Sequence, residues 1–344
     1  MFATAIVTAL LACPAIAQSP GRVNLKLDGS EAEAVLSILD KRATHQDVTG
    51  GDWQTLFSTT PYRRLKQREI SMNRPFTDED FMKFLATLDA RREQLRKTLQ
   101  QWESADLQAL AQRPLAYLPQ QASIRADVYP VIKPQSNSFV FEAETAPAIF
   151  LYLDPATSRA QFENTVAHEA HHIGLADLDA AYEEKIKPLP ESARKAARWM
   201  GAFGEGMAVL AAAGSPDVPP MASFPERDRV LWDLEVERFG ANLADLNEFF
   251  LDTIHGDLRN DAVAHEGGIF FGYRGPWYTV GYRMAVTIER ELGRPALIAT
   301  LADSREFVAR YNDAAANENA KNGGRLPVFS AEILKAVGAS SSSH

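Results

Sequence analysis

With 344 residues, 46% of them hydrophobic, the chain can bury one large core or two ordinary ones. A formal net charge of −9 and a charged fraction of 24%, without any Lys/Arg-rich stripe, exclude the electrostatic footprint of a nucleic-acid binder. Cys13 is the only cysteine, which excludes an intramolecular disulfide and leaves histidine and carboxylate as the ligands for any metal.

The opening stretch, MFATAIVTALLACPAIAQSPG, is a short apolar run that ends in small residues, with Ala15-Ile16-Ala17 before Gln18 as a cleavage pattern. It predicts residues 1–17 as an export signal and an exported, periplasmic or extracellular protein. Leu10-Leu11-Ala12-Cys13 also resembles a lipobox, in which Cys13 would carry a lipid anchor to the membrane. The apolar run is too short to span a bilayer, and no later segment reads as a transmembrane helix.

Residues 18–120 read as an N-terminal helical region. Apolar positions recur at helical spacing over 30–42, and Gly50-Gly51 breaks the pattern. A long helix is expected next, opened by Thr77 with Asp80 three residues on and striped by Phe81, Leu85, Leu88, Leu95, Leu99 and Trp102. The texture then changes. Segments 127–133, 138–144 and 148–154 are rich in β-branched and aromatic residues and are separated by Pro, Asn and Ser, which predicts three strands in a small antiparallel sheet.

Helical patterns return after Pro155. Ser158 with Gln161 forms a capping box, and Phe162, Val166, Ala170 and Ile173 make the apolar stripe of the helix that follows. That helix carries VAHEAHHIG, three of the chain's seven histidines. At about 100° per residue, His172 lies about 40° from His168, while the apolar stripe centres about 150° away. His168 and His172 therefore share a face that does not pack on the core. With Glu169 they form HExxH, in which two imidazoles bind zinc and the glutamate takes the proton of the attacking water. His171 turns to the other side and is expected to be a partly exposed structural histidine.

Catalytic zinc keeps three protein ligands, so a third is required. The metzincin pattern fails, because Leu175 and Leu178 stand where it needs Gly and His. Residues 195–216 read as a second helix, ended by Gly214 and Pro216 and packed through Phe203, Met207 and Leu210. Glu205 lies opposite that stripe, between Gly204 and Gly206, and glycines so placed let two helices approach closely while leaving the carboxylate free to reach a metal.

His168-Glu169-x-x-His172 followed by Gly204-Glu205-Gly206-Met207-Ala208 resembles the gluzincin-type zinc metallopeptidases. It is most similar to the bacterial zinc-dependent peptidases grouped as domain of unknown function 5700, over roughly residues 120–320. The resemblance implies a zincin-like α+β fold, predominantly helical, with residues 121–344 as the catalytic region, either separate from 18–120 or continuous with it. It implies Zn2+ on His168, His172 and Glu205, Glu169 as the catalytic base, and a peptide or protein as substrate. Val209 departs from the pattern, since thermolysin-like members place there an Asp that orients a ligand histidine.

The oxyanion of the reaction needs a further donor from another segment. GPWYTVGYRMAVTIERELG, 275–293, reads as a helix starting at Pro276 and ending at Gly293. Tyr278 in its first turn is the leading candidate, because a close approach at Gly281 would aim its hydroxyl into the cleft; Tyr282, Arg283 and His265 are the others. His45, His255 and His344 receive no role. The rival functions are a zinc hydrolase of another amide and a non-catalytic binding protein on the same fold.

Overall fold

The computed structural model describes residues 21–142 and 145–339, so the export signal, Cys13 and His344 lie outside the described residues. Strands β1 (Val23–Leu27), β2 (Ile124–Val131), β3 (Phe139–Phe141) and β4 (Ala148–Tyr152) form one sheet in the order β1-β2-β4-β3. The expected antiparallel sheet is thus a mixed one. β1 runs parallel to β2 and β2 parallel to β4, and only the β3–β4 pair is antiparallel. The reason is topological. Two successive chain reversals, into and out of β3, restore the original direction, so β4 runs with β2 and inserts between β2 and β3. β1 was not expected, and it reaches β2 through a long helical crossover of the kind a parallel pair requires.

Burial on both faces explains why β4 is a continuous apolar run. Ala148 and Phe150 pack with Leu65 from the helix Thr60–Ser71 on one face. Ile149 and Leu151 face the larger core on the other, with Val35, Leu99 and Phe162.

The long helix expected from Thr77 is divided. Thr77 caps it as expected, accepting from the Asp80 N–H, but the helix ends at Leu85 and a second runs Arg92–Glu103 after a 3-10 turn at Asp89–Arg91. In the break the Thr87 hydroxyl bonds the Phe84 carbonyl, a local competitor for the helical pattern. All six stripe residues are nonetheless buried, because both pieces lie on the same core.

The C-terminal half is helical. Its core gathers around Trp277 of the helix Pro276–Leu292, which packs against Phe203, Phe249 and Phe250 and whose buried indole N–H donates to the Gly267 carbonyl at 2.8 Å. The histidine helix, Arg159–Ile186, runs between the two cores. Among the described residues, no helix is long and apolar enough to cross a membrane.

Candidate metal centre

The local rules for the histidine helix hold. Ser158 and Gln161 exchange the two hydrogen bonds of a capping box, and Phe162, Val166, Ala170 and Ile173 are buried. Phe162 stacks on Trp102 with ring centroids 4.5 Å apart, which fixes the rotation of the helix about its axis. His168 and His172 consequently face away from this core.

Their partner is Glu205. The His168 Nε2 lies 3.1 Å from Glu205 Oε2 and 3.1 Å from His172 Nε2, and His172 Nε2 lies 3.4 Å from the same carboxylate oxygen. A tetrahedral ion with nitrogen and oxygen ligands at about 2.0–2.1 Å holds them about 3.3 Å apart. Three donor atoms on such a triangle could hold a metal, and the set of two imidazoles and one carboxylate suits zinc. Burial opposes the charge of Glu205, but hydrogen bonds with His168 and His172 outweigh it and hold the carboxyl well below the usual carboxylate range. The anionic form is the one a metal needs.

Glu205 reaches this position by a route that differs from the expected one. The segment is not a single helix over 195–216. It is a helix at Glu191–Met200, a 3-10 turn at Gly201–Phe203 and a helix at Gly204–Ala213, so Glu205 stands in a first turn rather than in mid-helix. The second helix is buried from Gly206 to Ala213, without a packing stripe opposite an exposed face. Close approach occurs at Gly206 only. A Cβ there would lie 2.0 Å from the Tyr282 nitrogen and 2.2 Å from the Gly281 carbonyl carbon, whereas one at Gly204 would meet nothing within 4 Å. Gly281 is equally constrained, since its Cβ would lie 2.7 Å from the Phe203 carbonyl oxygen. The backbone is thus pressed against the helix Pro276–Leu292, which has the bounds its Pro and Gly predicted.

That contact brings Tyr278 to the centre. Its ring lies over His168 at 6.3 Å between centroids, close enough for the Glu205 charge to act on its phenol. Burial, reinforced by the charges of Glu205 and Glu169, drives the phenol pKa far up, so Tyr278 is a proton donor at neutral pH. His168, Glu169, Val209 and Tyr278 line one cleft of about 290 Å³. Val209 occupies an apolar wall of it.

The remaining candidates lie elsewhere. Tyr282 is buried against Trp232, His265 is exposed, and Arg283 acts on the Tyr282 and Tyr311 phenols. His255 meets Glu332 at 2.7 Å on the surface. His171 is fully buried rather than partly exposed, because the chain around Tyr117 covers that side of the helix. Burial first, then the neighbouring His172 and His168, push its pKa down to about 3, so it is neutral. Arg274 also lines the cleft and was missed; its signal was the turn Gly272-Tyr273-Arg274-Gly275 directly before the Tyr278 helix.

No curated protein and no solved structure matches the chain. A family model described as "Putative zinc dependent peptidase (DUF5700)" matches residues 53–320, well over half of the chain and including the whole His168, His172, Glu205 cluster, and the chain belongs to that family.

Proposed function

We propose that this protein is a gluzincin-type zinc metallopeptidase that hydrolyses peptide bonds. The observation that carries the reading is the triangle of His168 Nε2, His172 Nε2 and Glu205 Oε2, opening on the cleft that holds Glu169 and Tyr278. Zinc on these residues would supply Lewis acidity, polarising a carbonyl and making water a nucleophile at neutral pH.

The protein's own groups do the rest. Glu169, in the turn of the helix that carries both histidines, takes the proton of the attacking water and passes it to the leaving nitrogen. Tyr278, held protonated, donates to the carbonyl oxygen as it gains charge. Val209, Met221 and Phe224 give the cleft an apolar wall that strengthens both interactions. Export through residues 1–17, with release or anchoring at Cys13, belongs to the same proposal.

Elemental analysis of the purified protein tests the metal, and digestion of a peptide library tests the chemistry. About one zinc per chain is expected in the native protein. Glu169→Gln should keep the zinc and lose about 10²–10⁴-fold in cleavage rate, the range of a positioned acid–base group. Absence of zinc, or a Glu169→Gln variant that cuts as fast as the native protein, refutes the reading.

A further inference from the structure

The cleft contains a cation that the chemistry above does not use. Arg274 has a backbone φ of 56°, in the left-handed region that a side chain of this size rarely adopts. The turn is forced from both sides. Gly272 also has a positive φ, of 32°, and a Cβ on Gly275 would lie 2.5 Å from the Phe270 carbonyl oxygen. The consequence is a defined direction for the side chain. Its guanidinium is seated over the Phe224 ring, 4.3 Å from the centroid, and lines the cleft together with Glu169 and Tyr278.

Arg274 is half-buried, yet no carboxylate among the described residues comes within 4.0 Å of its guanidinium. Asp228 and Arg274 instead both act on the Tyr273 phenol between them, in opposite directions. Most other partly buried arginines here are paired; Arg68, Arg294 and Arg305 each hold a carboxylate at 2.7 or 2.8 Å. Stacking on Phe224 restrains the planar fork and leaves its edge for a ligand. Arg274 is the one arginine or lysine on the cleft wall among the described residues, in a protein of formal net charge −9 whose cleft also holds Glu169. A fork so held, with no carboxylate partner among the described residues, is suited to a carboxylate.

We infer that Arg274 binds a carboxylate of the substrate, so that the peptides cleaved are those with a carboxylate next to the scissile bond, either the free C-terminus or an Asp or Glu side chain. This rests on the peptidase reading and names its substrate class. Arg274 is a specificity residue that touches substrate beside the reacting atoms.

The test is direct binding, by calorimetry, to Glu169→Gln protein carrying zinc. The probes are one neutral peptide with a free C-terminus, the same peptide amidated, and an amidated version with an internal Glu. A carboxylate should tighten binding by about tenfold or more, the scale of one charge-assisted pair. Preference for the free C-terminus marks an exopeptidase, and preference for the internal Glu marks a side-chain specificity; either supports the inference. Arg274→Ala should remove the ratio between acid and neutral peptides, and Arg274→Lys should restore part of it, with thermal unfolding confirming that both variants fold. Equal affinity for all three peptides, or a ratio that survives Arg274→Ala, overturns the inference while leaving the peptidase reading intact. An Arg274→Ala variant of the active enzyme that slows every peptide equally also overturns it, by assigning Arg274 to the oxyanion. If no peptide binds zinc-loaded protein, both fall together.

Discussion

Glu205 and Glu31 are both glutamates withdrawn from water, one at the candidate metal centre and one in the core beneath the sheet, yet one is charged and the other neutral. Glu205 meets two imidazoles and stays ionised against its burial. Glu31 is fully buried; Oε2 accepts the Ile132 N–H at 2.9 Å, and Oε1 has no hydrogen-bond partner. Burial raises its pKa to about 8, so it keeps its proton at neutral pH. Burial alone therefore makes a neutral acid. Burial with convergent nitrogen groups keeps an anion, the form a metal would need.

The comparison is most directly broken at the metal centre. Glu205→Ala leaves two imidazoles without their carboxylate, and zinc retained through dialysis against a weak chelator should fall to background. Unchanged zinc would remove Glu205 from the ligand set. Moving the carboxylate without deleting it should be nearly as severe. Gly206→Ala places a methyl inside the Gly281–Tyr282 backbone and is expected to cost at least about 3 kcal/mol in denaturant unfolding. Gly204→Ala, whose methyl meets nothing, should be neutral or stabilising by up to about 1 kcal/mol. Equal effects at the two glycines would refute the close approach as the device that places Glu205.

Glu31 sharpens the other side. Its pKa in the fold lies above that of an unfolded glutamate, so the folded protein holds this proton more tightly. The stability it contributes is complete below the ordinary carboxylate range, declines as pH rises toward 8, and is lost above that. The decline amounts to something on the order of a few kcal/mol. In Glu31→Gln it should disappear, which urea unfolding at a series of pH values would show. An unchanged slope would mean that other groups carry it.

The smallest effect is expected at His171. Its ring is neutral, and both nitrogens lack a hydrogen-bond partner of good geometry among the described residues. His171→Phe should change stability by no more than about 1 kcal/mol and leave zinc content intact. Loss of zinc in that variant would make His171 part of the centre after all.

Much of the site was legible because helical periodicity is a local property. Phe162, Val166, Ala170 and Ile173 set the core face, and the same period assigned His168 and His172 to one side and His171 to the other. What periodicity could not say was what covers His171, since the Tyr117 segment arrives from a distant part of the chain. The caps at Thr77 and Ser158 and the bounds Pro276 and Gly293 were readable for the same local reason. The sheet was less so. Strands near β2, β3 and β4 follow from composition, but their order and direction depend on pairings between segments, and β1 shows only a short alternation, VNLKL, that resembles many loops.

Glu205 marks the boundary between the two kinds of information. The sequence by itself determined that His168 and His172 share one helical face with Glu169 on its flank, because 3.6 residues per turn leave no other arrangement. It also marked Gly-Glu-Gly as a place where backbones can meet. Only the tertiary structure decided which backbone, that of Gly281 and Tyr282, and so brought Tyr278 to His168 and turned Arg274 into the cleft. Glycine permits approach from any direction, and the partner is selected by the packing of the whole C-terminal core.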